Sequence, residues 1–450
     1  MKMTKPALTI AGSDPSGGAG IQADLKTFAA HEVPGVSVIT SVTSQNSRGV
    51  QETYDLPVEV VAAQLNSVFS DSRPSAVKTG MLGNETLVEC VADRLRRYRI
   101  RKIVVDPVIR SSSRKTLLSG KGVEALKSKL LPLALLVTPN LPEAEALSGL
   151  RIVTPADRIK AARAILKTGV KNVLIKGGHA RGNADDLFYD GRHAVILESR
   201  RLARGNLHGT GCVFSAAIVA GLASGQDLPS AVRQAKKFIS QAILQAGQAV
   251  QAGNGATNLE PLSSLYESRE RLDLFQRVAA AVEVLRENKI GALIPEVQSN
   301  IGVGLRAASV EGDVIAFPAR IVKKGRDILV PAPPEFGASK HVAHIVLTVM
   351  RFDPSKRAVM NLKYSGAILK ICKRLKFKIA SFSRSNEPRH VRTREGSSLE
   401  WGTAKAIRDY GKVPDIIYDL GGMGKEEMIR VIADDVESLV DKVLRINRAI

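Results

Sequence analysis

Short apolar runs alternate with longer segments of helical periodicity from residue 7 to about residue 250. This alternation is typical of a mostly parallel β-sheet that is flanked by helices. Polar residues or glycines end each apolar run, and open α/β sheets bind ligands at the carboxyl ends of their strands. The predicted strands are residues 8–11, 37–42, 76–79, 103–106, 135–138 and 173–176.

The apolar period is lost at residues 249–264, where Gly, Asn, Pro and Ser interrupt it, and a long amphipathic helix is predicted from about 265 to 287. A chain of 450 residues is long enough for two cores. We therefore predict a first domain at 1–262, a linker at 263–270 and a second, smaller α/β domain at 271–450. In the second domain the pattern predicts strands at 313–317, 358–362 and 415–418 and helices at 340–350 and 425–433.

Charge and composition narrow the classes of function. The formal charge of +21 is spread evenly, with +11 on residues 1–270 and +10 on residues 271–450. An even excess favours small phosphorylated substrates over a nucleic-acid surface, so no nucleic-acid partner is expected. No apolar run is long enough for a membrane span and no signal-peptide pattern is present, so we expect a cytoplasmic protein with no membrane partner. We also expect a homo-oligomer.

Two glycine-rich segments precede predicted helices, at residues 12–20 and 205–212. Glycines let the backbone approach a ligand, and helix N-termini offer free N–H groups that can stabilise a transferred phosphoryl group. A plain strand-to-helix turn is the alternative for the first segment. Cys212 lies at the second helix start, where the helix dipole would lower the thiol pKa and favour a proton acceptor. The alternative is a buried cysteine beneath the loop. Because Cys90, Cys212 and Cys372 form no CxxC pair, neither a disulfide framework nor a structural zinc site is supported.

Polar residues at other strand ends extend this picture. Asp106 and Glu143 are carboxylates that could hold Mg²⁺, although such residues are usually solvated caps. Asn140 follows the same predicted strand as Glu143, and Lys176 adds a cation at another strand end.

Six strings of residues occur in order between residues 12 and 217: GSDPSGGAGIQADLKT, SVTSQNS, VKTGML, DPV, TPNLPEAEAL and HGTGCVFSAA. Together they resemble the hydroxymethylpyrimidine (phosphate) kinases of the ribokinase superfamily. The resemblance implies ATP-dependent phosphorylation, with Mg²⁺, of hydroxymethylpyrimidine and then of its phosphate. The one departure is Pro15, where relatives commonly carry a small polar residue.

The resemblance also implies roles for individual residues. The pyrimidine pocket would be lined by Gly12, Ala19, Asp24, Gln45, Met81 and Val108. Asp106 and Glu143 would serve Mg²⁺, and Asn140 and Lys176 would serve the nucleotide phosphates. The backbone of Gly209, Thr210, Gly211 and Cys212 would form the anion hole. Most ribokinase-like enzymes carry an Asp at the position of Cys212, so a pyridoxal-type kinase is less favoured, although side activity on such alcohols stays open.

The second half offers separate candidates. Gly421, Gly422 and Gly424 follow a predicted strand and precede a predicted helix, so they could bind a phosphate or form a structural turn. Residues 363–394 hold ten basic residues and one acidic residue, which indicates an anionic ligand or a solvated face. Arg320 and His341 could contact a phosphate or lie on the surface.

Five strings in the second half are IPEVQSNIGVGL, FPARIV, FGASKHVAHIVL, EWGTA and YDLGGMGKE. They resemble the thiamine phosphate synthase domain that is found fused to this kinase, chiefly in archaea. The resemblance implies that hydroxymethylpyrimidine diphosphate joins thiazole phosphate and releases pyrophosphate. Arg320 and His341 are the candidate catalytic residues of this half, as Lys176 and Cys212 are of the first. The competing class is a sensing module that binds thiamine phosphates without making them.

Overall fold

The computed structural model describes residues 5–46, 48–111, 115–178, 183–199, 207–246, 257–388, 397–422 and 424–450. The chain divides into two compact units, Met1–Leu265 and Tyr266–Ile450. Among the described residues, no helix combines the length and the apolar character needed to cross a membrane.

A nine-stranded sheet forms the first unit, in the order β3-β2-β1-β4-β5-β6-β7-β8-β9. The strands from β2 to β7 in this order run parallel, and β3, β8 and β9 join in antiparallel fashion. All six strands predicted for this unit are present, and the mostly parallel sheet is confirmed. The strands are β1 (Ala7–Ser13), β2 (Gly35–Asn46), β3 (Gly49–Asp55), β4 (Ala76–Thr79), β5 (Ile103–Val105), β6 (Leu136–Val137), β7 (Val173–Ile175), β8 (Asp186–Tyr189) and β9 (Ala194–Leu197).

Helices cover both faces of this sheet. Alternate residues of a strand point to opposite faces, and in β5 Ile103 and Val105 join one apolar cluster while Val104 joins the other. Because both faces are buried, the strands read as continuous apolar runs. The helices are α1 (Gly20–Ala30), α2 (Val58–Asp71), α3 (Glu85–Arg97), α4 (Gly120–Ala125), α5 (Leu141–Ser148), α6 (Pro155–Leu166), α7 (Thr210–Ala223) and α8 (Leu228–Ala246). Two short strands, β10 (Leu207–His208) and β11 (Thr257–Asn258), pair in parallel.

The second unit is built on a seven-stranded sheet in the order β16-β13-β12-β17-β20-β19-β18. Its neighbouring strands are antiparallel except for the parallel pair β18 and β19. The strands are β12 (Ile301–Gly304), β13 (Val314–Ala316), β16 (Glu335–Phe336), β17 (Ala358–Lys363), β18 (Ile379–Ser381), β19 (Ile416–Asp419) and β20 (Met428–Ala433), with β14 (Val322–Lys324) and β15 (Asp327–Leu329) forming a separate hairpin. The helices are α9 (Ser263–Glu287), α10 (Lys340–Phe352), α11 (Gly366–Arg374), α12 (Ser397–Tyr410) and α13 (Val436–Asn447).

The predicted helix at 425–433 is wrong, because residues 428–433 form the strand β20. All six residues of β20 are buried, and the strand pairs with β17 on one side and β19 on the other. A short apolar run of this length fits a buried strand as well as a helix segment, and tertiary pairing decides between them. Residues 263–270, which we predicted to be a linker, form the first turns of α9.

Candidate active sites

The two glycine-rich loops of the first unit lie directly against each other. Gly209 has a φ of +86°, and a Cβ atom at this position would lie 1.7 Å from the carbonyl oxygen of Gly18. Gly20 has a φ of +57°, and a Cβ atom there would lie 2.4 Å from the carbonyl oxygen of Gly12. Only glycine allows both this conformation and this approach. The glycines therefore bring the starts of α1 and α7 together at one edge of the sheet.

Polar side chains join these loops. His208 Nε2 lies 2.6 Å from Gln45 Nε2 and 3.2 Å from Asp14 Oδ2. Asp14 also accepts hydrogen bonds from the backbone N–H groups of Ser16 and Ala19. Burial by itself would raise the pKa of Asp14, but the hydrogen bonds from His208, Ser16 and Ala19 outweigh it and lower the pKa to about 2. Asp14 is thus a fixed anion of the first loop, and neither Asp14 nor His208 was predicted, although both lie inside the quoted strings.

The residues predicted for a pyrimidine pocket are distributed around this junction. A Cβ atom on Gly12 would lie 3.1 Å from Met81 Sδ, so these two residues are in contact. Met81 is buried, while Ala19, Gln45 and Val108 are half-buried. Gln45 reaches the loop junction through His208.

Asp24 is fully buried and forms an ion pair with a lysine that the sequence did not single out. Its Oδ2 accepts from Thr9 Oγ1 at 2.6 Å and from Lys78 Nζ at 2.8 Å, and the Lys78 side chain is also fully buried. Among the described residues Asp24 Oδ1 has no hydrogen-bond partner. Burial raises the pKa of Asp24, and the Lys78 ammonium opposes that rise. Oδ2 of Asp24 is therefore hydrogen-bonded within the fold, whereas Oδ1 has no hydrogen-bond partner among the described residues.

Cys212 lies in the first turn of α7, as predicted, but its acidity differs from our expectation. Burial raises the pKa of the Cys212 thiol to about 11, and Lys78 only partly offsets this effect. The predicted lowering of the thiol pKa is therefore wrong for this state of the protein, because the loss of hydration of a thiolate outweighs the helix dipole.

Asp106 and Lys176 meet beside the second glycine loop. Lys176 Nζ donates to Asp106 Oδ1 at 2.7 Å, and Ser215 Oγ of α7 donates to Asp106 Oδ2 at 3.2 Å. A Cβ atom on Gly211 would lie 3.1 Å from Lys176 Nζ. Burial raises the pKa of Asp106, but Lys176 and Lys78 outweigh it, so the carboxyl is held ionised. Lys176, the predicted cation, therefore lies next to the predicted glycine loop at 209–212.

Asn140 and Glu143 have a structural role that the prediction did not give them. They form a capping box at the start of α5, in which Asn140 Oδ1 accepts from Glu143 N at 2.9 Å and Glu143 Oε2 accepts from Asn140 N at 2.8 Å. Burial raises the pKa of Glu143 to about 7, against the opposing effect of Lys176.

Asp106 and Glu143 suit a hard cation, because both offer carboxylate oxygens as ligands. No group of three or more potential metal-ligating side chains exists in the described part of the chain. Mg²⁺ commonly takes only one or two protein carboxylates and completes its shell with water and substrate phosphates. The residues present therefore fit Mg²⁺.

The second unit has a cavity of about 420 Å³ that brings Arg320 and His341 together. Arg320 follows β13 with a φ of +60°, and its Nη1 donates to the carbonyl oxygen of Val297 at 2.5 Å. His341 lies in the first turn of α10. The other cationic residues that line the cavity are Arg384, Lys425 and Arg430. The cavity is thus built to attract an anion.

The glycine loop at 421–424 is different from the predicted phosphate loop. It leads into β20 and not into a helix, so no helix N-terminus is available. Gly421 N donates to Asp419 Oδ1 at 3.0 Å and Gly422 N donates to the carbonyl oxygen of Lys425 at 3.0 Å. Both amides are already bonded within the protein. Gly424 lines the cavity and stays a candidate.

In the described part of the basic run at 363–394, Arg384 is the side chain that lines this cavity. Arg384 lines it, next to Arg430 from β20, and both form ion pairs with Asp419 at the end of β19. Arg389, Arg392 and Arg394 of the same run lie outside the described residues. The sequence did not single out Asp419 or Arg430, because no local motif links three segments that are distant in the chain.

Comparison with known proteins matches the two compact units to two different families. A family described as phosphomethylpyrimidine kinase matches residues 14–259, and a family described as thiamine-phosphate synthase ThiN matches residues 277–445. The chain is similar to the bifunctional thiamine biosynthesis protein ThiDN of Methanocaldococcus jannaschii, with 35% identity over 437 residues and 97% coverage of each chain. It is also similar to the hydroxymethylpyrimidine/phosphomethylpyrimidine kinase of Haemophilus influenzae, with 48% identity over 267 residues that span 57% of this chain and 97% of the relative.

Solved structures support the fold of the first unit. The ADP complex of Bacillus subtilis pyridoxal kinase matches with a TM-score of 0.53 and 37% identity, covering 58% of this chain and 99% of that chain. Staphylococcus aureus pyridoxal kinase in complex with AMP-PCP matches with a TM-score of 0.53 and 36% identity, covering 57% and 93%. The first unit therefore has the fold of these nucleotide-binding kinases.

Proposed function

The chain belongs to the ThiDN family of bifunctional thiamine biosynthesis proteins, and from this premise we propose which of its residues carry the two reactions. It is an enzyme with a kinase half, which uses ATP as substrate, and a thiamine phosphate synthase half. The kinase half phosphorylates hydroxymethylpyrimidine and its phosphate. The synthase half couples the resulting diphosphate to thiazole phosphate and releases pyrophosphate.

In the kinase half, the pyrimidine is held at the junction of the two glycine loops. Asp24 Oδ1 and the Gln45 amide are suited to hydrogen bonds with the ring nitrogens and the amino group. Met81 and Val108 supply apolar contact to the ring, with Gly12 and Ala19 closing the pocket. The unused, buried oxygen of Asp24 supports this assignment, because an unpaired buried carboxylate oxygen is costly unless a ligand donates to it.

Phosphoryl transfer is assigned to the start of α7. The amides of Gly209, Thr210, Gly211 and Cys212 would stabilise the negative charge that develops on the transferred phosphoryl group. Lys176 adds a cation beside Gly211. Asp106 and Glu143 would hold Mg²⁺, which when bound would neutralise charge on the nucleotide phosphates. Asn140 supports the same phosphates from the N-terminus of α5, the helix that it caps.

Cys212 is assigned as proton acceptor for the substrate hydroxyl. Its thiol pKa of about 11 keeps it protonated at neutral pH in this state. A loose transition state needs proton removal only late, so positioning and charge stabilisation carry most of the rate. A thiolate beside Lys78 would be formed during transfer and not before it.

The synthase half is assigned to the cavity that contains Arg320 and His341, and this convergence is the observation that carries the proposal. Arg320 offers a fork for a phosphate group, and His341 is placed to donate a hydrogen bond to a phosphate oxygen. A thiamine-phosphate sensor would need the same cavity for binding, but the full-length family relationship favours the enzyme.

Turnover of preformed hydroxymethylpyrimidine diphosphate and thiazole phosphate by the whole chain tests the synthase half. We expect stoichiometric thiamine phosphate and pyrophosphate. Replacing Arg320 by Ala should lower kcat/KM of coupling by roughly 100-fold and leave the kinase reaction intact. Saturable binding of thiamine phosphate without any turnover by the unaltered chain would instead identify a sensor.

We retain three further expectations as part of this proposal. The division is a kinase domain at 1–262 and a synthase domain at 271–450, with residues 263–270 joining them as the start of α9. The chain acts in the cytoplasm and forms a homo-oligomer, which sedimentation of the purified protein can test.

A further inference from the structure

One buried carboxylate in the second unit is shared by two arginines. Asp419 is fully buried at the end of β19, and its Oδ1 accepts from Arg384 Nε at 2.7 Å. Its Oδ2 lies 3.4 Å from Arg384 Nη2 and 2.7 Å from Arg430 Nη1. The backbone N–H of Gly421 also donates to Asp419. These hydrogen bonds fix the carboxylate and orient the Arg384 guanidinium, whereas Arg430 Nη1 lies at ion-pair distance from Asp419 without a hydrogen bond among the described residues.

An aromatic ring supports the same pair of arginines. The Cζ atoms of Arg384 and Arg430 lie 5.8 Å and 5.5 Å from the centroid of the Phe382 ring. Arg430 is only 3% exposed, whereas the Arg384 side chain is 12% exposed and both line the cavity. Arg384 is therefore the member of the pair that is more accessible to a ligand, and Arg430 lies behind it.

The charges around the cavity do not balance. Among the described residues, Arg320, Arg384, Lys425 and Arg430 bring four positive charges to the lining of the cavity. Two negative charges oppose them, from Glu426 in the lining and from Asp419, which pairs with two of the arginines. Both carboxylate oxygens of Glu426 are already hydrogen-bonded, because they accept from the backbone N–H groups of Glu296 and Val297. A purely structural network would need one arginine for one carboxylate, since an uncompensated buried cation is destabilising. The excess charge indicates an anionic ligand with more than one charge.

We propose that Arg384 binds the diphosphate group of the pyrimidine substrate, oriented by Asp419 and with Arg430 adding charge from behind. This inference rests on the synthase function proposed above. In the reaction the bond between the methylene carbon and the diphosphate oxygen breaks, its electron pair goes to that oxygen, and the thiazole nitrogen forms the new C–N bond. Negative charge therefore grows on the diphosphate as it departs. A planar guanidinium that is already oriented stabilises this charge without reorganisation.

Coupling kinetics of the whole protein with preformed diphosphate test this role. Arg384→Gln should raise KM for the diphosphate and weaken product inhibition by pyrophosphate, each by at least about 10-fold. KM for thiazole phosphate should change much less. Arg384→Lys, which keeps the charge but loses the fork, should recover part of the lost affinity.

Arg445→Gln is the matched control. Arg445 also lies over a phenylalanine ring, at 4.9 Å from the centroid of Phe377, but it is outside the cavity. This variant should leave all coupling constants within twofold of the unaltered chain. The fluorescence of Trp401, which packs against Phe382 in the second unit, verifies that this unit is folded in each variant.

Three results separate the possible failures. If the unaltered chain forms no thiamine phosphate, the proposed synthase function itself fails. If it couples and Arg384→Gln changes neither the diphosphate KM nor pyrophosphate inhibition, the role of Arg384 is refuted. If only KM for thiazole phosphate rises, Arg384 binds the other substrate and the assignment is equally refuted.

Discussion

The two candidate sites differ in their arrangement of charge. In the kinase half each buried lysine has its own carboxylate, Lys78 with Asp24 and Lys176 with Asp106. In the synthase half two arginines, Arg384 and Arg430, share Asp419. The first arrangement is neutral in pairs, and the second keeps an excess of positive charge.

This difference matches the chemistry assigned to each half. A kinase transfers a phosphoryl group from one bound substrate to another, so negative charge is redistributed within the site. Paired charges and loop amides are suited to stabilise this redistribution. A synthase that releases pyrophosphate must stabilise charge that accumulates on a leaving group.

The largest effect is expected where the shared carboxylate is removed. Asp419→Asn leaves two arginines without their counter-ion and should destabilise the second unit by about 3–5 kcal/mol. Trp401 is the only tryptophan of the chain and its ring packs against Phe382, at 6.4 Å between centroids, so its fluorescence in a urea titration reports this unit. Asp409→Asn, which breaks an exposed pair with Lys405, should cost less than about 0.5 kcal/mol. Equal costs for the two variants would remove the special role of Asp419.

The second prediction concerns one lysine of the kinase half. Lys176→Met should lower kcat of the kinase by roughly 100-fold, because a cation beside the anion hole is lost, and should leave coupling of preformed diphosphate unchanged. Lys236→Met is the control, since Lys236 has the same side-chain exposure of 14% and pairs with Asp186 at the same distance of 2.7 Å. An equal loss of kinase kcat in both variants would show that Lys176 acts through stability alone.

The smallest effect is a pH dependence of the kinase half. Glu143 has a pKa raised from 4.5 to about 7, so its proton-linked stabilisation is complete at low pH and is lost as pH rises through about 7. Glu143→Gln keeps the capping box but removes this titration. The thermal midpoint of the unaltered chain, relative to the Gln variant, should therefore fall by a few degrees between about pH 4.5 and pH 7.

Asp157→Asn is the opposite case among the capping boxes. Asp157 caps α6 with Thr154 at the surface, and hydrogen bonds from Thr154 lower its pKa. The stabilisation by the ionised Asp157 is lost only as pH falls. The difference in thermal midpoint between the unaltered chain and the Asp157→Asn variant should therefore stay constant between about pH 5 and pH 7. A Glu143→Gln midpoint that runs parallel to that of the unaltered chain would contradict the raised pKa.

The sequence predicted the strands of the kinase half well because both faces of that sheet are buried. Each of the central strands β5, β6 and β7 is therefore a continuous apolar run that ends at a polar residue. The prediction for β20 was wrong because the six buried residues of this strand are preceded by Glu426 and Glu427, and acidic residues are typical of the first turn of a helix. Such a run is assigned by its pairing with β17 and β19, which a single sequence does not display.

The sites were predicted where a motif is local and missed where residues converge from distant segments. The glycine loops, Asp106 and Lys176 were found from strand ends. Asp14 and His208 are 194 positions apart, and Arg384 and Asp419 are 35 apart, so no spacing rule joins them. The acidity of Cys212 was mispredicted for a related reason: it depends on burial by residues far away in the chain.

The central claim is that one chain performs consecutive steps of thiamine phosphate formation. It is tested most directly by incubating the whole protein with hydroxymethylpyrimidine, ATP, Mg²⁺ and thiazole phosphate and following every pyrimidine species over time. We expect the monophosphate to form first, then the diphosphate, and then thiamine phosphate with an equal amount of pyrophosphate. Accumulation of the diphosphate without any thiamine phosphate, or failure to form the monophosphate, would contradict it.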